Sequence, residues 1–201
     1  SADLGDIASR IDRIATPATD DGLPLVKVSA GTWTTLALVR HLGEIAGDPP
    51  DIRLRFVPSE ATLSIARREA AIGIRNRRPT GLGVAGRKLA PVAFAIYATP
   101  KARPDWIVVT ADTPSARWGR ARAAEEALHE ATDPRVALDL ALTGAGRIVL
   151  PTFIGDGETT LERLSDPIAD LGHDAWLVAH DDDRHLPGIR RVFDRLAALL
   201  S

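Results

Sequence analysis

Short apolar segments separated by proline and glycine run along the chain, and each segment predicts one helix or strand. Residues 25–29 have the composition of a buried strand, and residues 34–45 that of a helix with one apolar face. A second strand is predicted at 51–57, a short helix at 61–69 and a third strand at 71–74. This β-α-β-α-β order predicts parallel strands joined by right-handed crossovers.

The rest of the chain continues the alternation with less regular spacing. A Gly- and Arg-rich loop is predicted at 75–88, and a helix at 121–131. Asp133 followed by Pro134 is typical of a helix start, and this helix is predicted to end before Gly144. The same rules predict strands at 92–99, 106–110, 147–150 and 175–179, and a terminal helix at 188–200.

The first residues carry a separate apolar pattern. Four apolar residues are spaced three, four and three positions apart, as in a coiled-coil seam: Leu4, Ile7, Ile11 and Ile14. Pro17 ends the run. The spacing is equally typical of a helix packed on its own domain and of the end of a dimerisation helix, so both interpretations stay open.

Composition excludes several classes of protein. The 201 residues are 45% hydrophobic and 26% charged, which is enough for one domain or two small lobes. A net charge of −2 provides no general basic surface for nucleic acid. Cysteine is absent, which excludes disulfides, thiolate metal sites and thiol catalysis and fits a reducing cytosol. Methionine is absent even at position 1, so we expect further sequence upstream of Ser1.

Two motifs are interpreted as chance matches. Residues 81–86 spell G-x-G-x-x-G but follow an arginine-rich loop and precede no helical pattern, unlike a dinucleotide-binding turn. Residues 180–185 contain possible metal ligands but form a strand-to-helix connection, where aspartates favour a helix start. No serine–histidine–acid order and no phosphate loop stands out. We therefore expect no metal, no cofactor and no enzymatic activity, and no membrane contact because no apolar run is long enough to span one.

The junction of the first strand and the first helix is the main candidate for ligand binding. Gly31 and Thr32 are followed by Trp33 and Thr34, and a helix N-terminus presents unpaired N–H donors to an anion. The threonine hydroxyls can add donors, and Trp33 can form the wall of an organic-ligand site. Alternatively, Thr32 or Thr34 is only the N-cap and Trp33 is a core residue.

Two further strand ends supply candidates, because open parallel sheets bind ligands outside their strand ends. Ser59 follows the second strand, although a serine there is also typical of a helix cap. Arg75 and Asn76 follow the third strand, and a guanidinium can bind a carboxylate with two hydrogen bonds. Arg77 and Arg78 follow directly, and the alternative is that this cluster of three arginines is solvated or paired with surface acids.

Five segments in a fixed order resemble the effector-binding domain of LysR-type transcriptional regulators. They are PLVKVSAGTWTTLALVRHLGEIAGDPPDIRLRFVPS, REAAIGIRN, GRKLAPVAFAIYATP, ALTGAGRIVLP and DAWLVAHDDDRHLPGIRRVFDRLAALL. The resemblance covers residues 23–201. The sequence departs from the family at Ala71, where aspartate is usual, and at Arg147, where an apolar residue is expected.

The resemblance implies an α/β fold of two Rossmann-like lobes joined by two crossover strands, like that of type 2 periplasmic binding proteins. Lobe I would contain residues 23–92 and 173–201, and lobe II residues 93–172. Residues 1–17 would be the end of a linker helix, preceded by a winged helix-turn-helix that this chain does not contain. Thr113, Thr152 and Phe153 are the candidate ligand contacts of lobe II.

The implied function is that of an effector-sensing domain in a cytoplasmic bacterial transcription factor. It would bind a small organic anion in the cleft between the lobes, self-associate as a dimer or tetramer, and reach DNA only through the absent N-terminal domain. The alternatives are a stand-alone solute-binding protein and, less favoured because no acid/base set is evident, an enzyme on a similar fold.

Overall fold

The computed structural model describes residues 22–58, 70–80, 82–123 and 127–201, which form a mixed α/β structure. The strands are β1 (Leu25–Ala30), β2 (Arg53–Pro58), β3 (Ile72–Arg75), β4 (Val84–Lys88), β5 (Phe94–Ala98), β6 (Trp106–Val109), β7 (Ala127–Ala131), β8 (Ile148–Pro151), β9 (Glu162–Arg163) and β10 (Trp176–His180). The α-helices are α1 (Thr32–Arg40), α2 (Leu42–Ala46), α3 (Pro114–Ala123), α4 (Pro134–Leu142), α5 (Thr152–Gly155) and α6 (Pro187–Leu199).

The first sheet contains five strands in the order β2-β1-β3-β10-β4. Strand β1 runs parallel to both β2 and β3, which confirms the parallel arrangement predicted for the first three strands. Strand β10 runs antiparallel to β3 and β4. The apolar face of α6, including Val192 and Leu196, packs with Val28, Leu38 and Ile72 in the core of this sheet. Burial of these side chains is the main force that holds α6 on the sheet.

The second half of the fold is built from two smaller sheets. Strand β5 lies between β8 and β9 in an antiparallel sheet, and β6 pairs with β7 in parallel. Tyr97, Leu138 and Leu150 belong to the core that joins β5, α4 and β8. Arg147 lies over the Trp106 ring, with its Cζ atom 4.4 Å from the ring centroid, so this departure from the family pattern is accommodated by a cation–π contact.

The chain passes between the two halves twice, and the two passages are hydrogen-bonded to each other. Val92 leads from β4 towards β5, and His173 leads back to β10. The Val92 N–H donates to the His173 carbonyl at 2.8 Å, and the His173 N–H donates to the Val92 carbonyl at 3.0 Å. This antiparallel bridge fixes the first sheet relative to the start of β5.

Two predicted elements are wrong. The helix predicted at 121–131 is divided between the end of α3 and strand β7, because residues 127–131 pair with β6 and this tertiary pairing overrides their helix propensity. The loop predicted at 75–88 contains β4 in its last five residues, where an edge strand pairs with β10.

The predicted helix at 34–45 differs in its start and its continuity. Helix α1 begins two residues earlier and is separated from α2 by His41, whose N–H donates to the Leu38 carbonyl in a tighter turn. Val39 and Leu42 are about half exposed, whereas Leu38 is buried. The predicted seam at residues 4–14 and the helix at 61–69 lie outside the described residues.

Candidate ligand site

A cavity of about 480 Å³ lies among the β1–α1 turn, the end of β3 and the strand ends of the second half of the fold. Its volume is within the range of small-molecule sites, about 300–1,000 Å³. The lining residues from the first sheet side are Gly31, Thr32, Trp33, Thr34, Asn76 and Arg77. The predicted residues that line it from the other side are Thr113 and Phe153. Segments far apart in sequence therefore meet at one cavity.

The N-terminus of α1 opens onto this cavity without a side-chain cap. Gly31 occupies the N-cap in extended conformation, with φ −67° and ψ 164°, and as a glycine it provides no side-chain cap. The hypothesis that Thr32 or Thr34 is the N-cap is therefore wrong, because both lie inside the helix. The Thr35 N–H makes the first intrahelical bond, to the Gly31 carbonyl at 2.9 Å. The preceding N–H groups are those that carry the positive end of the helix dipole.

Trp33 both lines the cavity and packs in a core. It is partly buried against the cluster around Tyr97 and Leu138, on the far side of the cavity from the first sheet. Leu38, one turn further along α1, is fully buried in the core of the first sheet. Helix α1 thus contacts both halves of the molecule, and its N-terminus is held between them.

The helices on the opposite wall have capped N-termini. The Ala116 N–H of α3 donates to the Thr113 hydroxyl at 3.3 Å, and the Arg135 N–H of α4 donates to an Asp133 carboxylate oxygen at 2.8 Å. Both helices begin with proline, which has no N–H to donate. Thr113 lines the cavity, but its hydroxyl oxygen already accepts a hydrogen bond from its own helix.

Apolar side chains line part of the cavity, together with a few charged and polar side chains. Phe94, Ile107 and Val149 contribute hydrocarbon surface. Asp170 and His173, on the passage back to the first sheet, also line the cavity. The His173 ring lies 5.8 Å from the Phe94 ring between centroids, and its Nδ1 is 3.1 Å from the Leu171 carbonyl oxygen. The arrangement can hold an apolar body beside a charged group.

Phe153 is presented to the cavity by the short helix α5. Gly155 of this helix packs so closely on Tyr97 that an added Cβ would lie 2.3 Å from the ring. The Tyr97 hydroxyl donates to Asp156 at 2.7 Å, and burial, together with this carboxylate, raises the pKa of Tyr97 to about 12. Thr152 does not line the cavity; its N–H donates to the Ala93 carbonyl at 2.9 Å.

Arg75, which the sequence suggests as a contact for a carboxylate ligand, is not among the residues that line the cavity. Its guanidinium donates to the carbonyl and hydroxyl oxygens of Ser29, at 3.0 and 3.2 Å. Burial lowers the pKa of Arg75 from its usual value. The neighbouring Asn76 and Arg77 line the cavity instead.

Most of the sequence-predicted residues line the cavity. They are Gly31, Thr32, Trp33, Thr34, Asn76, Thr113 and Phe153. Arg75 and Thr152 lie outside the lining, and Ser59 lies outside the described residues. Sequence reasoning missed Arg77, although it belongs to the arginine cluster that was singled out. Asp170 and His173 were missed because no local pattern marks a connecting segment as part of a site.

Residues 180–185 form a local turn. The His180 Nδ1 atom accepts a hydrogen bond from the Asp182 N–H at 3.2 Å. Across the described ranges, no group of three or more histidine and acidic side chains could hold a metal ion. In the same part of the chain, every helix is too short or too polar to cross a membrane.

No protein-family model and no curated protein matches the sequence. Solved structures are nevertheless similar in fold. The regulatory domain of CrgA, a LysR-type transcriptional regulator from Neisseria meningitidis, is 20% identical, with 89% of this chain and 100% of that chain covered and a TM-score of 0.67. The reduced OxyR regulatory domain from Pseudomonas aeruginosa is 12% identical, with coverages of 88% and 98% and a TM-score of 0.66.

A longer protein aligns with nearly the whole chain. Full-length CbnR, solved in complex with its target DNA, is 13% identical, with 97% of this chain and 77% of that chain covered and a TM-score of 0.58. At these identities the similarity concerns the fold. The chain has the fold of the regulatory domain of LysR-type transcriptional regulators.

Proposed function

We propose that this chain is the effector-sensing domain of a LysR-type transcription factor, and that its effector is a small organic anion. The observation that carries the proposal is the 480 Å³ cavity, which is lined by the first turn of α1, a helix without a side-chain cap. Unpaired N–H groups at a helix N-terminus attract carboxylates and similar anions. The effector identity, the oligomeric state and the DNA partner are parts of this proposal.

The lining supports a ligand with a negative group and an apolar body. The N–H groups of Thr32 to Thr34 and the Arg77 guanidinium would bind the anionic group. Trp33 and Phe153 would contact the apolar body from opposite halves of the fold. Asn76 and Thr113 would supply further polar contacts. No catalytic group is required for this function.

We further propose that residues 23–92 with 173–201 form one lobe and residues 93–172 the other. The strand order supports this division, since the first sheet takes its strands from the first range and the smaller sheets from the second. A ligand that contacts both lobes stabilises one arrangement of them in proportion to its differential affinity. Self-association as a dimer or tetramer would transmit that change to DNA-binding domains upstream, in the bacterial cytoplasm.

A binding screen with paired charged and neutral ligands tests the proposal. Isothermal titration calorimetry with small carboxylates and their primary amides, such as benzoate and benzamide, should give saturable binding of carboxylates and weak binding of amides. At 100 times the dissociation constant, a ligand selective for the folded state raises the free energy of unfolding by about 2.7 kcal/mol. Thermal unfolding with the same ligands therefore provides an independent readout.

Two neighbouring arginines offer a matched pair of variants. Arg77→Gln removes the cavity-lining charge, and we expect it to weaken carboxylate binding about tenfold. Arg78→Gln is the control, because Arg78 lies over the Trp176 ring at 5.6 Å and outside the lining. Equal losses in both variants would indicate a general charge effect. Absence of binding by any carboxylate in the panel would contradict an anion sensor.

A further inference from the structure

Arg75 holds the end of β1 with its side chain. Nη1 donates to the Ser29 carbonyl at 3.0 Å and to the Ile74 carbonyl at 3.0 Å, and Nη2 donates to the Ser29 hydroxyl at 3.2 Å. Ser29 is fully buried. A charged donor that binds a buried carbonyl and hydroxyl in a fork geometry restrains both the backbone and the side chain of its acceptor.

The hydrogen bonds from Arg75 to Ser29 lie at the point where the backbone pairing of β1 with β3 ends. The register of β1 with β3 ends at the pair Ser29–Gly73. Gly73 also provides the space for the guanidinium, since an added Cβ would lie 3.0 Å from the Arg75 Cζ atom. The same Cβ would lie 3.0 Å from the Val178 side chain on β10. The glycine and the arginine therefore work as one unit on this face of the sheet.

The restrained residue lies directly before the cavity. Two residues separate Ser29 from the first residue of α1. The second of them is Gly31, the N-cap residue of this helix. On the helix side, the Thr35 hydroxyl donates to the Ala30 carbonyl at 3.3 Å. The β1–α1 turn is thus held at one end by Arg75 and at the other by Thr35.

We propose that Arg75 is a positioning residue, which acts through Ser29 to fix the direction of the first N–H groups of α1 towards the cavity and does not contact the ligand. The inference rests on the proposed function of this cavity. It assigns to the arginine a role different from the direct carboxylate contact that its place after β3 suggests.

The first test uses the ligand-free protein. In ¹H–¹⁵N NMR spectra, Arg75→Lys keeps the charge but loses the fork, so we expect the amide signals of Thr32, Trp33 and Thr34 to move. Ser29→Ala removes only the hydroxyl acceptor and should move them in the same direction by less. Arg78→Lys is the matched control and should leave them in place. Unchanged α1 amide signals in both test variants would overturn the proposal.

The second test separates positioning from direct contact. With benzoate as the probe, a positioning role predicts that Ser29→Ala and Arg75→Lys both lower affinity, and that the double variant is no weaker than Arg75→Lys alone. Direct contact predicts that Ser29→Ala leaves the affinity unchanged, which would overturn the proposal. Because Ser29→Ala is a small change, it decides the matter even if Arg75→Lys does not fold.

The two proposals fail in different ways. Displaced amide signals in the ligand-free variants, combined with no carboxylate binding by the wild-type chain, would support the Arg75 restraint and contradict the anion-sensor function. Carboxylate binding that is equally strong in the wild type, Ser29→Ala and Arg75→Lys would support the sensor and overturn the restraint.

Discussion

Three of the described helices of nine or more residues begin at or beside the same cavity, and α1 is built differently from α3 and α4. Helices α3 and α4 start with proline and take side-chain caps from Thr113 and Asp133. Helix α1 starts with Thr32, follows a glycine, and has no side-chain cap. In α3 and α4 a side chain accepts a hydrogen bond from one of the first N–H groups, whereas the N-cap of α1, Gly31, has no side chain that could do so.

The first residue of each longer helix shows a further difference. Helix α6, which does not line the cavity, has no side-chain cap but has proline in its first position. Among the described helices of nine or more residues, α1 is the one that begins without proline. A proline at this position removes a donor that would otherwise need a partner. Helix α1 keeps this donor, and its first residue lines the cavity.

A side-chain cap added to the N-terminus of α1 should have the largest effect on ligand affinity. Gly31→Asp places a carboxylate at the N-cap, where φ −67° and ψ 164° suit any residue. The carboxylate would accept hydrogen bonds from the first N–H groups of α1 and repel an anion, so we expect about a 100-fold loss of benzoate affinity, with the free energy of unfolding higher by a few tenths of a kcal/mol. Calorimetry and urea unfolding measure the two effects. Gly31→Ala is the control, and a similar loss in that variant would contradict the explanation.

Removing a single donor should have a smaller effect. Thr32→Pro deletes one N–H while keeping the helix start, because proline suits the first helical position and an extended residue precedes it. We expect about a tenfold loss of benzoate affinity, corresponding to one charge-assisted hydrogen bond. Thr32→Ala removes the hydroxyl and keeps the N–H, so calorimetry of both variants separates the two groups. A greater loss in Thr32→Ala would assign the contact to the hydroxyl.

Removal of the N-cap side chain of α4 should lower the stability of the protein and leave ligand affinity unaffected. Asp133→Ala removes the acceptor of the Arg135 N–H, which should lower the free energy of unfolding by about 1 kcal/mol. Because Asp133 does not line the cavity, benzoate affinity should stay within twofold of the wild-type value, about 0.4 kcal/mol. Urea unfolding and calorimetry again provide the readouts. A large loss of benzoate affinity in Asp133→Ala would contradict the explanation that binding depends on the uncapped N-terminus of α1.

Local sequence patterns predicted the part of the fold that contains the open helix end. The buried strand, the small polar turn and the amphipathic helix are all encoded within residues 25–40, so β1 and α1 could be predicted without knowledge of their neighbours. The candidates Gly31 to Thr34 followed from that turn. Asn76 followed from the rule that ligands bind outside parallel strand ends.

The remaining features depend on partners distant in sequence. Residues 127–131 are good helix formers and become strand β7 only because β6 lies beside them. Arg75 follows a strand, as expected, but its acceptor is Ser29, 46 positions earlier. Local spacing does not report such a contact. The role of a side chain at a strand end therefore required the packed structure.

An NMR titration of the wild-type chain with benzoate shows whether the N-terminus of α1 binds the anion. We expect the amide signals of Thr32, Trp33 and Thr34 to shift saturably with one dissociation constant. The amide signal of Arg135, which already donates to Asp133 and lies outside the lining, should stay in place. Saturable binding that moves the α3 and α4 amides and leaves the α1 amides unchanged would contradict binding of the anion at this N-terminus.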